Sequence, residues 1–194
     1  MPSVQIGLTT YNADLRNAIV HERSDGHVIA EPHDYVTNQI KLIYAHISDP
    51  PKLIPKFQTK EYSLGLDNGI GHAVKLMKER SFSQLPILNG GNFVGLLTAS
   101  TVCRWLGANQ SEDIFSLSET GIEEVLKHTE DPENFAFMAR AQNVFELLEV
   151  FRNFQNRGKF LEAILITEKG KSTESLMGIL NADDLPRIFE YIKL

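Results

Sequence analysis

The chain has 194 residues, 42% of them hydrophobic and 23% charged, with a formal net charge of −6 and one cysteine. That is enough apolar side chain for the core of one ordinary domain or two small ones, and it excludes disordered, collagen-like and low-complexity classes. The net acidity argues against a global electrostatic grip on nucleic acid or anionic membrane, and the lone Cys103 excludes a disulfide framework or a multi-cysteine zinc site. From the N-terminus, residues 18–23 and 27–30 flank Ser24-Asp25-Gly26, a hairpin signal because glycine tolerates the positive φ of a tight turn. Pro32 ends the second of these strands. Asp34 then offers an N-cap to a helix whose Tyr35, Val36, Ile40, Ile43, Tyr44 and Ile47 recur at helical spacing, and Pro50 and Pro51 stop it.

Beyond Pro51 one pattern occurs twice. The segments 69–77 and 143–151 align with apolar residues coinciding at Ile70/Val144, Ala73/Leu147, Val74/Leu148, Leu76/Val150 and Met77/Phe151, the spacing of one buried helix face. Each predicted helix leads into an apolar strand, Leu85-Pro86-Ile87-Leu88 or Ala163-Ile164-Leu165-Ile166, then a glycine-bearing turn. A second strand follows, entering Gly95-Leu96-Leu97-Thr98 or Gly178-Ile179-Leu180-Asn181, and each copy closes with a helix. The glycines lie 83 positions apart and the first strands 78, so the second copy carries five extra turn residues. A length change confined to a turn is what loops tolerate. The expected fold is α/β (α+β): two β-α-β-β-α units packed sheet to sheet, preceded by a short N-terminal hairpin and helix, because one such unit alone leaves a sheet face open. Leu85, Ile87, Leu96, Ile164, Ile166 and Ile179 are expected in the sheets as core. The expected division is 1–46 for the hairpin and leading helix, 47–110 for the first repeat and 111–194 for a linker and the second.

The order helix, Leu-Pro-apolar strand, turn, Gly-apolar-apolar-Thr, helix resembles a tandem pair of CBS domains, the cystathionine-β-synthase-type regulatory module. The stretches that carry the resemblance are Met77 to Ile87, Gly95-Leu96-Leu97-Thr98, and Gly178-Ile179-Leu180 through Asp184-Leu185. It covers roughly residues 47–194 and implies a sensor for adenosine-containing ligands such as AMP, ADP, ATP or S-adenosylmethionine. In the family's pattern a glycine lets a ligand come close, a Thr or Ser at the following helix start meets phosphate, and an Asp three positions on accepts from ribose hydroxyls. Each copy here keeps half of that pattern: the first has Thr98 but Thr101 in place of the Asp, and the second has Asp184 but Asn181 in place of the Thr. The implied nucleotide-binding residues are Asp184, Asn181, Ala182, Thr98, Ser100, Thr101 and Gly178, with the second copy the better site and the phosphate near Asn181 or Thr98.

Other readings are weaker. Adjacent Asp183 and Asp184 point about 100° apart on a helix, which does not suit a shared acid/base task. Gly69-Ile70-Gly71 resembles a dinucleotide loop, but Val74 stands where its third glycine belongs. His21, Glu22, Asp25, His27, Glu31 and His33 crowd one segment; a solvated hairpin face explains them better than a metal site. Cys103, between Val102 and Trp105, has no activating base nearby in sequence and reads as a packed core thiol. Arg80, Arg104, Arg140 and Arg187 fall near helix ends of the repeats and are expected at the surface. No run of 18 apolar residues exists, and the first residues lack a basic region followed by an apolar stretch. No transmembrane span or secretory signal is therefore expected, and a cytoplasmic location is. The sequence thus predicts a regulatory binding module, not an enzyme and without a metal. It would be a homodimer through faces bearing Leu106, Phe115 and Phe189, acting on an unidentified effector protein. The alternatives are an interaction or structural pair without a nucleotide, and an enzyme built on the N-terminal His and acid cluster.

Overall fold

A computed structural model describes residues 13, 14, 16, 17, 33–58, 63–110 and 116–192. The predicted hairpin at 18–30 lies outside the described residues, as do His21, Glu22, Asp25, His27 and Glu31 of the polar cluster. The chain divides into two units, one of residues 1–48 with 194 and one of residues 49–193. The first unit contains helix α1 (Asp34–Ser48), none of whose residues is buried. Its cap differs from expectation. Asp34 is already helical, and the Nδ1 atom of His33 accepts from the Tyr35 N–H at 3.2 Å.

The second unit begins with a short helical segment, α2 (Leu53–Lys56), followed by β1 (Leu64–Gly65), α3 (Ile70–Arg80), β2 (Gln84–Asn89), β3 (Asn92–Thr98) and α4 (Ala99–Ala108). Then come α5 (Ile122–Leu126), β4 (Phe135–Ala139), α6 (Val144–Asn156), β5 (Ala163–Thr167), β6 (Gly178–Leu180), a 3-10 turn at Ala182–Asp184 and α7 (Leu185–Glu190). The strands make two three-stranded sheets of one topology, β1-β2-β3 and β4-β5-β6. In each, the first pair is parallel and the second antiparallel. The β2–β3 connection is a two-residue turn in which Gly90 and Gly91 both have positive φ, 56° and 86°. A turn with both central residues left-handed matches the twist of the strands it joins, which is why Asn-Gly-Gly-Asn sits there. The extra residues of the second copy fall in the β5–β6 connection, as the spacing predicts.

The sequence does not reveal how each core is completed. Leu53, Ile54 and Phe57, which precede β1, are buried in the core of the second repeat, with Met138, Val144, Leu147, Ile164, Ile166, Leu180 and Ile188. Ile122 and Val125, which precede the second repeat, are buried in the core of the first, with Ile70, Ala73, Leu85, Ile87, Leu97 and Trp105. Reciprocal backbone hydrogen bonds fix the exchange. Leu53 N–H donates to Gln142 O and Val144 N–H to Pro51 O (2.8 and 2.9 Å); Ile122 N–H donates to Asn68 O and Ile70 N–H to Thr120 O (3.0 and 2.8 Å). The stretch between the repeats, expected as a linker, thus supplies a core helix, α5. A β-carbon on Gly69 or Gly71 would lie 3.1 Å from a backbone carbonyl of Ser118 or Leu117. The Gly-Ile-Gly sequence therefore serves a close chain approach. Of the expected sheet core, Leu85, Ile87, Leu96, Ile164 and Ile166 are buried; Ile179 is only half-buried. Cys103 is exposed, contrary to expectation, because it lies on the outer side of α4 while Val102 and Trp105 face the core.

Candidate functional site: two clefts between the repeats

Two clefts open where the β-to-helix turn of one repeat meets the helix-to-β turn of the other. The first, about 470 Å³, is lined by Ser81, Phe82, Ser83, Gln84, Leu85 and Pro86 from the first repeat and by Ile179, Leu180, Asn181, Asp183 and Asp184 from the second. Asn181 caps the 3-10 turn, its Oδ1 accepting from the Asp183 N–H at 2.9 Å. Asp184 Oδ2 accepts in return from the Asn181 N–H at 3.0 Å. This capping box fixes the carboxylate at the cleft wall. The other carboxylate oxygen, Oδ1, has no partner among the described residues. Opposite it, Ser83 Oγ donates to Gln84 Oε1, and Phe82, Leu85 and Pro86 supply apolar surface, to which Ile179 adds from the wall of Asp184 itself. The cleft thus offers an acceptor on one wall and flat apolar contact on the other, the usual form of a small-molecule site.

The second cleft, about 340 Å³, is lined by Thr98, Ser100, Thr101 and Arg104 from the first repeat and by Thr129, Glu130, Asp131, Asn134, Gly158, Lys159, Phe160 and Glu162 from the second. Here the polar groups engage one another. Thr98 caps α4 by accepting from the Thr101 N–H at 3.1 Å, and the two hydroxyls share a hydrogen bond of 2.9 Å, both residues being buried. Arg104 pairs with Glu130. Lys159 Nζ lies 3.0 Å from Glu133 and 3.5 Å from Asp131. Its bond to Glu133 holds the ammonium pKa above its usual range, while burial pushes the Glu162 carboxyl up.

The structure separates residues that the sequence leaves together. Asn181 and Asp184 meet in the first cleft; Thr98, Ser100 and Thr101 lie in the second, so Asn181 and Thr98 cannot share one phosphate. Gly178 and Ala182 line neither cleft. Ala182 packs against the second core. A β-carbon on Gly178 would lie 2.5 Å from the Phe57 carbonyl oxygen, so this glycine makes room for the exchanged segment rather than for a ligand. Arg187 is turned away from the first cleft: its Nη2 donates to Lys56 O at 2.9 Å and its guanidinium lies 5.2 Å from the Phe57 ring. Arg140 pairs with Glu168 outside both clefts. Sequence reading missed the opposing walls, Ser81–Pro86 and 158–162, although the 78-residue offset equates Phe82 with Phe160 and Gln84 with Glu162. Nothing in the repeat pattern marked 129–134.

Among the described residues no three His, Cys, Asp or Glu side chains are grouped to hold a metal ion, and no helix is long and apolar enough to cross a membrane. The CBS-domain family model matches residues 57–108. No curated protein matches the chain by sequence. Among solved structures, a putative acetoin utilization protein (AcuB) from Vibrio cholerae is 16% identical with a TM-score of 0.53, the match covering 72% of this chain and 90% of that one. The CBS domain of a bacterial CNNM/CorC family Mg2+ transporter in complex with ATP is 14% identical with a TM-score of 0.50, covering 80% and 95%. CBSX2 in complex with AMP is 12% identical with a TM-score of 0.51, covering 74% and 99%. With the first repeat matched by sequence and the paired sheets by fold, the chain carries a CBS domain and has the architecture of a tandem CBS pair.

Proposed function

We propose that the chain is a regulatory module that takes an adenosine-containing ligand (AMP, ADP, ATP or S-adenosylmethionine) in the first cleft and signals to an effector protein through altered contacts, without catalysing a reaction. The observation that supports this reading is the placement of Asp184, held by its capping box, across from the apolar wall of the other repeat. A carboxylate with one oxygen facing the cleft can accept from a ribose hydroxyl, and an adenine ring fits between Phe82, Pro86 and Ile179. Two solved structures of this fold carry ATP and AMP, which lends the ligand class support. The second cleft is the poorer candidate, because its Thr98 and Thr101 hydroxyls bond each other and Arg104 and Lys159 are paired.

Calorimetry with each of the four ligands tests the reading. Hydrogen bonds to a charged group contribute about 1.5–3 kcal/mol, so Asp184→Ala should weaken binding about ten- to a hundredfold. Asp184→Asn, which keeps an acceptor for the Asn181 N–H, separates loss of charge from loss of the turn. Absence of binding to the wild type at millimolar ligand overturns the reading in favour of an interaction module without a nucleotide. A specific feature favours that second reading: both β-to-helix turns are complete in themselves, Asn181 with Asp184 and Thr98 with Thr101.

A further inference from the structure

The second cleft holds two polar side chains that the fold itself leaves unused. Asn134 and Glu162 immediately precede the parallel strands β4 and β5, in which Phe135 is in register with Ala163. The Glu162 N–H donates to Asn134 O at 2.7 Å, which extends that register by one residue. The two side chains therefore share one face, opposite to that of Phe135 and Ala163, and both line the cleft. Asn134 is only 8% exposed, yet its amide has no hydrogen-bond partner among the described residues. A polar group so buried is a cost to the fold until something bonds it. The Glu162 carboxylate likewise has no partner among them, and burial alone lifts its pKa. The other charges are matched, Arg104 with Glu130 and Lys159 with Glu133 and Asp131. Phe160, 68% exposed, adds an aromatic ring to the same wall, and the face of such a ring attracts cations.

We infer that this corner of the second cleft binds the ammonium head of a small organic amine. The Glu162 carboxylate and the Asn134 amide oxygen accept its N–H groups, and Phe160 flanks it. The chemistry excludes the other classes. A phosphate or carboxylate would face Glu162 and would have to draw Arg104 or Lys159 from its partner. A bare divalent ion wants more oxygen ligands than this corner offers, and no three acidic or histidine side chains come together among the described residues. An ammonium carries only N–H donors, which suit a carboxylate and an amide oxygen equally. The cleft, about 340 Å³, leaves room for a short chain beyond the head, with Ser100 and Thr129 also in its lining. The first cleft has no such corner, because Gln84 stands at the place of Glu162 and its Oε1 accepts from Ser83.

Binding here needs no nucleotide, so it is measured without one and stands or falls apart from the proposed function. Calorimetry on the full chain should show n-butylamine and putrescine binding at millimolar concentration or below. n-Butanol, of butylamine's size but without its charge, should bind at least about tenfold more weakly. Glu162→Gln, which keeps the volume and removes the charge, should weaken both amines about ten- to a hundredfold. Phe160→Ala, at an exposed ring, should weaken them about two- to fivefold, and it provides the reading if Glu162→Gln fails to fold. Glu149→Gln, at an exposed acid of α6 outside the cleft, should change nothing. A wild type that binds neither amine at millimolar concentration overturns the inference. So does amine binding that survives Glu162→Gln, butanol that binds as well as butylamine, or magnesium that binds through Glu162 more tightly than the amines do.

Discussion

The two clefts occupy equivalent places in the two repeats, and they are built from different chemistry. The 83-residue offset that equates Thr98 with Asn181 also equates Thr101 with Asp184 and Arg104 with Arg187. In the first cleft the acid is present and the arginine is absent, having turned to the Lys56 carbonyl. In the second the arginine is present, paired with Glu130, and a buried threonine stands in place of the acid. Gln84 in one wall becomes Glu162 in the other, and its pKa rises with burial. The apolar positions that hold the sheets did not diverge in this way: Leu85 and Ala163, and Ile87 and Leu165, are all buried. The frame constrains side chains that fill space, whereas the equivalent cleft positions differ in charge and in hydrogen-bonding chemistry.

The largest expected effect breaks the exchange of core segments. Leu53 and Ile122 are both fully buried, Leu53, just ahead of β1, in the core of the second repeat and Ile122, just ahead of β4, in the core of the first. Deleting a buried branched side chain costs about 2–5 kcal/mol, so Leu53→Ala and Ile122→Ala should each lower the urea midpoint by that much stability. Hydrogen exchange should locate the loosening: Ile122→Ala in residues 64–107, and Leu53→Ala in residues 135–190. Loosening in the opposite repeat would show that the two cores are not completed in this crossed manner.

The glycines at the equivalent strand positions sharpen the comparison at an intermediate scale. A β-carbon on Gly178 would lie 2.5 Å from the backbone carbonyl of Phe57, whereas one on Gly95 would meet only the Leu126 methyl groups at 3.8 Å. Forcing extra volume against backbone costs about 1–3 kcal/mol, so Gly178→Ala should be destabilised by that amount in thermal unfolding. Gly95→Ala should be within about 0.5 kcal/mol of the wild type or slightly above it. Equal losses at the two sites would remove the asymmetry.

The smallest effect is one of pH. Burial raises the Glu162 carboxyl above the usual range, so the charged form is the disfavoured one in the fold. Stability tied to this group is therefore complete below the unfolded carboxylate pKa and is lost as pH rises through the higher folded value. Glu162→Gln should gain at neutral pH, by under about 0.5 kcal/mol for a residue still largely in contact with water, and the gain should vanish below about pH 4. A melting difference that instead grows at low pH would show that Glu162 is held as an anion, by Lys159 or another cation in the second cleft.

Much of this molecule was legible in the sequence. The helices at 70–80 and 144–156 follow from one-faced apolar spacing, and their starts from Gly69 and Asn143, both of which the alignment of repeats placed at the same register. The hairpin turn follows from Asn-Gly-Gly-Asn. Sequence reading gives Asn181, Asp184, Thr98 and Thr101 to a ligand, whereas in the structure Asn181 pairs with Asp184 and Thr98 with Thr101, residues three apart at a helix start. All these signals act over a few residues, through φ preferences, turn chemistry and side-chain periodicity, and so they are written locally. What the sequence left undecided is long-range: that Leu53 and Ile122 are exchanged between cores, that Gly178 answers to Phe57, that Arg187 turns to Lys56 while Arg104 stays in its cleft, and that Asn181 and Thr98 face different clefts. Each depends on which distant segment fills a given space, and only the closing of two cores at once selects the answer.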